Sequence, residues 1–496
     1  MILTNLFKKK DIPFYLFVAL IYLYNIRSIA FPKNFQQDDI SELFIEKYYE
    51  LSCVINAGDN HPLWTFTIWL ISRLNKFEYT YVISSINILA TLLSTLIFYS
   101  LMKKEFNNLT ALFSSFLLLT SPTLLTYSVG LKQYSFEFIY SVFLLCMVCL
   151  YKNDLSKIIF DIKFYVISFF LIMMSLANLI TFTVLFLLSC LTYMNQSKKI
   201  NFKFFLFLPL FIPFFLRAFS KVNRSSFNDY WDDFFLDISS FDSFTQSVIF
   251  LYSLFLKNIL GFTWNKYIVL IISILFVIGS FTRNKINNFC TLVLMFFVIL
   301  NILNFYPIGG NRTDIIFLIF FIYLVASGFD KISVFNNFTY VLIFTIVIYS
   351  HLFVKPFYKT ETISPLINEI SKEFDNNSDS IFVSYEQKNS FDYYGKDYFE
   401  TANFKRQDNN CNYNQLNIKN YFVFDPLKES KYKQNFQQAK ENSEKVYLVG
   451  IELDGTVGFF RTVEKDLIEN GFRLKESIIY PIGIYLNIYE LTSYEN

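Results

Sequence analysis

The sequence predicts a mainly α, polytopic membrane protein of about eleven transmembrane helices, with a large first outer loop and a C-terminal extracytoplasmic α/β domain. Three observations carry this reading. Of 496 residues, 54% are hydrophobic and only 17% are charged, with 63 Phe and 34 Tyr. Through the first 354 residues, apolar runs recur that approach the roughly twenty residues needed to cross a hydrocarbon core about 30 Å thick. After Lys355 those runs stop, charge rises and short β-like stretches appear. The formal net charge of +2 is too near neutrality to point to nucleic acid or another strongly charged partner.

Lys8, Lys9 and Lys10 precede an apolar segment from about Pro13 to Ala30. It reads as an uncleaved first span, although Ser28-Ile29-Ala30 weakly resembles a cleavage site. Later spans are expected near residues 80–101, 109–129, 135–151, 163–177, 179–194, 204–217, 267–281, 289–304, 315–328 and 338–354. With the first lysines held in the cytoplasm, the inner connections contain Lys103, Lys104, Lys152, Lys157, Lys198, Lys199, Lys203, Arg283, Lys285 and Lys331, the basic bias expected of cytoplasmic loops. The same alternation puts residues 31–79, 130–134, 218–266, 304–314 and everything after 355 on the outer face. The chain thus divides into a membrane domain, 1–354, and a soluble domain, 355–496, of a size able to fold alone.

In the soluble domain, Ser380–Tyr385, Tyr421–Phe424 and Val446–Val449 read as buried strands. Leu366–Phe374 and Val457–Asn470 carry helical periodicity. Gly450 and Gly455 do not make a nucleotide loop, so the domain is assigned a capping or accessory role. Cys146, Cys149, Cys190 and Cys290 fall inside expected spans, where a small buried apolar residue is the plain reading. Cys53 and Cys411 lie outside them, and a disulfide between these two stays open.

All the chemically loaded connections share the outer face. In the first loop, Asp38 and Asp39 stand directly after the first span, where ionisable groups are costly unless they pair or work. Helix capping explains one Asp more readily than two. Glu42, Glu46 and Glu50 repeat at helical spacing and read as the wet face of a helix. His61-Pro62 opens an aromatic run, Trp64, Phe66 and Trp69, that fits a helix lying in the membrane interface; His61 itself could be a hydrogen-bonded fixture. The connection at 127–134 brings Lys132, Gln133 and the phenols of Tyr127 and Tyr134, with snorkelling as the plain alternative for the lysine. The connection at 304–314 brings Tyr306, a Gly309-Gly310 pair and Arg312, whose planar fork suits phosphate and whose plain alternative is pairing with Asp314. Carboxylates, an amine and a guanidinium together are what is needed to hold an anionic lipid phosphate and activate a hydroxyl.

Asp38-Asp39 after the first span, His61-Pro62 before an interfacial helix, Ser121-Pro122 through Lys132-Gln133-Tyr134, and Tyr306-Pro307-Ile308-Gly309-Gly310-Asn311-Arg312 resemble, in order and sidedness, the GT-C type integral-membrane glycosyltransferases. The resemblance is to the branch of protein O-mannosyltransferases, aminoarabinose transferases and bacterial lipopolysaccharide core transferases, and it covers residues 1 to about 354. It implies a membrane-bound enzyme of the plasma membrane that moves a sugar from a polyprenyl-phosphate donor to a hydroxyl of a lipid, glycan or protein acceptor on the outer face. In relatives the acidic pair is usually Asp-Glu; here it is Asp38 and Asp39, expected as the catalytic pair. His61, Lys132, Tyr134, Tyr306 and Arg312 are expected at the substrate. Many relatives carry an acid at the position of Gly130, a departure that concentrates the acidic chemistry on the first loop.

The implied reaction is a single displacement with inversion at the anomeric carbon. Asp38, helped by Asp39, would take the acceptor proton, while Lys132 and Arg312 would neutralise the departing phosphate. No obligatory cofactor or metal site is visible, though Asp38, Asp39 and Asp59 could hold a divalent cation with phosphate oxygens. Two alternatives belong to other classes. A lipid-linked sugar flippase would bury polar residues near mid-membrane and often show repeat halves; the sequence shows neither a repeat nor broken Gly/Pro helices at corresponding positions. A non-catalytic envelope assembly protein leaves the outer polar residues without purpose.

Overall fold

The computed structural model describes residues 11–27, 61–74, 79–197, 209, 211–216, 231–261, 266–310, 312–333, 341, 344–345, 363–384, 391–392, 395, 398–405, 412–424, 443–451, 457–469, 471–479 and 484–491. Most of the first loop, including Asp38, Asp39, Cys53 and Asp59, and also Cys411, lies outside these residues. The chain divides into two compact units, one dominated by residues 74–358 and the other by 359–496.

The first unit is helical. Its described α-helices are α1 (Ile12–Ile26), α2 (Pro62–Leu74, whose residues 68–73 group with the second unit), α3 (Tyr79–Glu105), α4 (Asn108–Leu119), α5 (Pro122–Val129), α6 (Tyr134–Leu150), α7 (Ile162–Met174), α8 (Asn178–Ser197), α9 (Phe241–Leu260), α10 (Lys266–Phe281), α11 (Lys285–Ile302) and α12 (Ile315–Ser333). Among the described residues four segments, Thr80–Glu105, Asn178–Gln196, Lys285–Ile302 and Arg312–Ile332, are long and apolar enough to cross a membrane; most of the residues in the spans expected at 204–217 and 338–354 lie outside the described residues. α4 and α5 pass the same test together, bent by 58° at their junction. Helices 12–26, 134–150, 162–174 and 267–281 are apolar but shorter.

α12 is the centre of the bundle. Every side chain from Ile315 to Ala326 is buried. The peripheral helices instead turn large apolar residues outward, such as Leu20, Leu89, Phe170, Leu191, Leu270 and Met295. Apolar residues on both the packed and the outward face are the pattern of helices bathed in lipid.

The span expected at 109–129 is broken. Pro122 has no N–H to donate and forces Ser121 out of the helical region, to φ −65 and ψ 117, so a second helix starts at Pro122 in a new direction. The stretch 218–266, expected as a connection, contains a twenty-residue helix, α9, capped by Ser240 at its start and by left-handed Gly261 at its end.

One end of the bundle is laced by polar bonds between its connections. Lys103 donates to Asp11 at 2.6 Å, Lys152 pairs with Glu105 at 2.9 Å, Asn107 donates to Asp330 at 2.9 Å, and Lys285 donates to the Asn153 carbonyl at 2.7 Å. At the opposite end the turns at 130–134 and 304–314 lie with α5 and the C-terminal end of α9.

The second unit carries a five-stranded sheet of order β4-β1-β5-β7-β6, formed by β1 (Asp379–Ser384), β4 (Tyr421–Phe424), β5 (Lys445–Ile451), β6 (Phe472–Ile479) and β7 (Ile484–Leu491). β1 runs parallel to both β4 and β5, and β7 antiparallel to β5 and β6. β2 (Thr401–Lys405) and β3 (Asn412–Leu416) make a separate antiparallel pair. The flanking helices are α13 (Ile363–Glu373) and α14 (Val457–Glu469). Val463 and Leu467 of α14 cover Phe382, Phe422, Val446, Leu448 and Tyr489, an apolar layer that holds helix to sheet.

Candidate active site

The turn at 304–314 is built around two glycines with different duties. Gly309 has φ +84, the left-handed region that a side chain resists. Gly310 makes room for an aromatic ring: an added Cβ would lie 2.5 Å from Trp231. That close approach sets the Trp231 ring 4.8 Å from the Arg312 guanidinium, a cation–π distance. The Arg312 amide closes the turn by donating to the Gly310 carbonyl at 2.7 Å.

Buried polar groups hold this turn in place. Asp314 accepts from the Gly309 amide at 2.8 Å and from Asn258 Nδ2 at 3.0 Å, while Asn258 also donates to the Gly309 carbonyl at 2.7 Å. Asn258 lies at the end of α9, and its carbonyl accepts from Thr123 of α5 at 2.8 Å. Asn301 ties the 231–236 segment to the same turn, donating to the Phe234 and Tyr306 carbonyls and accepting from the Leu236 amide. Tyr306 packs on Phe297 and donates its hydroxyl to the Thr313 carbonyl at 3.0 Å. Burial raises the Tyr306 phenol well above its ordinary range, with Glu137, Asp314 and Tyr134 adding to the rise and Arg312 opposing it. It is therefore a neutral hydrogen-bond donor at physiological pH.

The second turn, 130–134, is fixed from below. Asn87 of α3 donates to the Gly130 carbonyl at 2.7 Å and to the Lys132 carbonyl at 3.1 Å. Trp64 Nε1 donates to the Leu131 carbonyl at 3.1 Å. His61 Nε2 meets Gln133 Nε2 at 2.8 Å, which makes one ring nitrogen the acceptor. Tyr134 stands edge-on to Tyr127 at 4.8 Å.

Tyr134, Tyr306 and Arg312 thus share one electrostatic neighbourhood, with Asp314 and Glu137 beside them. His61 and Lys132 belong to the adjoining turn. Asp38 and Asp39 lie outside the described residues. Trp64, expected at the membrane interface, is instead fully buried, because its indole N–H serves the 130–134 turn and its ring packs on Phe136.

Glu137 was not anticipated. It sits in the first turn of α6, is buried, and accepts from Ser175 Oγ at 2.6 Å. The signal was present in the sequence: an ionisable residue one helical turn into an apolar span, three positions after Tyr134. Asn258 and Asn87 carry no such signal, since a neutral residue far away in sequence announces no role. Among the described residues no group of three or more His, Cys, Asp or Glu could hold a metal ion.

No protein-family model and no curated protein matches the sequence. Solved structures do match. ArnT from Cupriavidus metallidurans bound to undecaprenyl phosphate superimposes with a TM-score of 0.54 at 10% identity, covering 97% of this chain and 98% of that one. The same protein in its apo state gives 0.53 at 10% identity, over 96% and 97%. A weaker likeness, TM-score 0.47 at 12% identity over 98% of this chain and 75% of the other, is to the archaeal oligosaccharyltransferase AglB from Archaeoglobus fulgidus in complex with an inhibitory peptide and a dolichol-phosphate. Over nearly its whole length, the chain has the fold seen in ArnT.

Proposed function

We propose that the protein is a membrane-bound glycosyltransferase that takes a sugar from a polyprenyl-phosphate donor and places it on a hydroxyl of a lipid, glycan or protein acceptor. The observation that carries this reading is the Arg312 guanidinium against the Trp231 ring, on the same turn as Tyr306, at one end of an apolar bundle. A guanidinium held rigidly by an aromatic face is suited to gripping a phosphate oxygen pair. Beside it, an apolar groove of about 230 Å³ is lined by Leu251, Phe255, Phe276, Phe297, Phe317 and Phe321. A prenyl chain would lie in that groove while its phosphate reaches Arg312 and Lys132.

In this mechanism the acceptor hydroxyl loses its proton to Asp38, with Asp39 assisting, and attacks the anomeric carbon from the side opposite the phosphate. The sugar–phosphate bond breaks, its electron pair leaves on the phosphate oxygen, and the configuration inverts. Lys132 and Arg312 stabilise the charge that develops there, in a site where water is scarce. His61 acts through Gln133 to keep Lys132 in register. Should a divalent cation take part, Asp38, Asp39 and Asp59 are the carboxylates to hold it with phosphate oxygens.

In this reading the chain has about eleven spans, a cytoplasmic N-terminus and an extracytoplasmic domain from residue 355, with the Arg312 turn on the outer face of the plasma membrane. The basic inner connections support that orientation. The test is binding of undecaprenyl phosphate to purified protein in detergent. Arg312→Ala should weaken it by about tenfold or more and Arg312→Lys by a smaller factor, because an ammonium keeps the charge but not the fork. Equal affinity across wild type and both variants would remove Arg312 from the phosphate site.

A further inference from the structure

The apolar groove beside the Arg312 turn is short, and its two ends are built differently. Its head is made by Leu236, Asn301 and Ile308. Ile308 belongs to the turn that carries Arg312, and its amide donates at 3.2 Å to the Phe234 carbonyl, in the segment that carries Trp231. Its sides are α9 and α11, and the hydroxyls of Tyr252 on α9 and Ser273 on α10, 2.7 Å apart, hold the first of these walls in place. Its floor is aromatic, for Phe276 of α10 and Phe321 of α12 stack with centroids 5.1 Å apart. Further along α12 the backbones of α10 and α12 meet, which closes the groove between them: a Cβ on Gly279 would lie 1.9 Å from the Leu324 carbonyl oxygen.

Two measures of the groove's capacity agree. The lining runs along α11 from Leu294 to Asn301 and along α9 from Val248 to Phe255, in each case a rise of about 10 Å. An extended isoprene unit has four main-chain carbons and spans about 5 Å, so roughly two units fit by length. By volume, an apolar cavity of about 150 Å³ takes a benzene molecule, so one of about 230 Å³ takes about nine carbons, again close to two units. A longer chain has a way out at the side. Val248 and Val298 line the groove and are also 38% and 42% exposed, so it opens to the outside between α9 and α11.

Resting on the reading of this groove as the prenyl site, we infer that the protein reads roughly the first two isoprene units of its lipid carrier and no more. The Phe276–Phe321 pair is the stop, and the chain beyond it turns out between α9 and α11. The substrate class is then any polyprenyl phosphate of that length or longer, whatever its total number of units.

The test uses undecaprenyl phosphates that differ only in which isoprene unit carries a photoreactive diazirine: the second, third or sixth from the phosphate. Full-length protein in detergent is irradiated with each, and adducts are mapped by mass spectrometry of its peptides. The second-unit probe should label peptides holding Phe297, Phe317 and Phe321. The sixth unit begins roughly 15 Å beyond the groove's length, so its probe should label them about tenfold less. Unlabelled ten-carbon prenyl phosphate at saturation should suppress second-unit labelling as fully as unlabelled undecaprenyl phosphate does. Phe321→Ala frees space of about one isoprene unit and should raise third-unit labelling of α12 several-fold; Phe276→Ala serves the same purpose should the first variant not fold. Equal labelling of the groove by the second- and sixth-unit probes, failure of the ten-carbon competitor, or third-unit labelling unchanged in the folded variant overturns the inference. Labelling of no groove peptide by any probe overturns the reading of the groove as the prenyl site instead.

Discussion

The crossing of α10 and α12 permits a sharp prediction, because it depends on two glycines and no other residue fits. A Cβ on Gly279 would lie 1.9 Å from the Leu324 carbonyl oxygen, and one on Gly328 would lie 1.9 Å from the Leu275 carbonyl oxygen. Carbon and carbonyl oxygen approach no closer than about 3.3 Å, so one alanine would drive the two backbones apart by roughly 1.4 Å. Both atoms met are backbone, and no side chain can swing away. Separation would disturb the Phe276–Phe321 stack at 5.1 Å and the bonds from Asn287 Nδ2 to the Gly279 carbonyl at 2.6 Å and to Ser327 Oγ at 2.7 Å. Overpacking costs about 1–3 kcal/mol, and a weakened buried hydrogen bond adds about 1, so each alanine should cost about 2–4 kcal/mol. A thiol-reactive dye reports unfolding in detergent, because Cys146, Cys149, Cys190 and Cys290 are buried thiols. Gly279→Ala and Gly328→Ala should each lower the midpoint by about 5 °C or more. Melting at the wild-type temperature would refute the close crossing.

Two further outcomes follow from other parts of the chain. Asn87→Leu leaves the buried Gly130 carbonyl without the amide that serves it, at a cost of about 1–3 kcal/mol, and should weaken undecaprenyl phosphate binding several-fold by loosening the Lys132 turn; equal binding would detach that turn from the site. In the sheet unit, burial raises the Asp379 carboxyl above its ordinary value, with Asp375 and Glu444 adding to the rise, while the Asp375 amide and Lys445 oppose it. A carboxyl raised on folding gives stability that is full below its unfolded value of about 3.9 and is lost as pH rises through the folded value. Asp379→Asn removes that loss. Amide exchange in peptides spanning β1 and β5 should slow at neutral pH in Asp379→Asn relative to wild type, and faster exchange would reverse the sign of the argument.

The broad architecture was legible because lipid imposes a simple rule on composition: long apolar runs, sparse charge and basic connections on one side. The strands at 379–384, 421–424 and 445–451 and the helices at 363–373 and 457–469 were legible for a related reason, as compact apolar runs bounded by polar residues. β6 was not, since Arg473, Lys475 and Glu476 interrupt its pattern, as befits a strand at the sheet edge. α9 gives no apolar-run signal because Asp242, Ser243, Thr245, Gln246 and Ser247 break up its first half, within the connection expected at 218–266. At the site, charged and aromatic residues next to Gly and Pro stand out in the sequence, and Tyr306 and Arg312 share one braced turn, Tyr306 bonded to the Thr313 carbonyl and Arg312 against Trp231. What supports them did not stand out. Asn87, Asn258 and Asn301 act by hydrogen bonds across 43 to 67 positions, and only the fold makes those partners neighbours.

The most direct test of the central claim is donor turnover. Purified wild-type and Asp38→Asn protein should be incubated with a panel of polyprenyl-phosphate sugars, each with a hydroxyl acceptor preparation from cell envelope, and the intact donor followed over time. The account predicts consumption of at least one donor by wild type, release of polyprenyl phosphate, and a loss of rate of about a hundredfold or more in Asp38→Asn. No turnover with any donor, together with movement of the lipid-linked sugar across proteoliposome membranes, would contradict it.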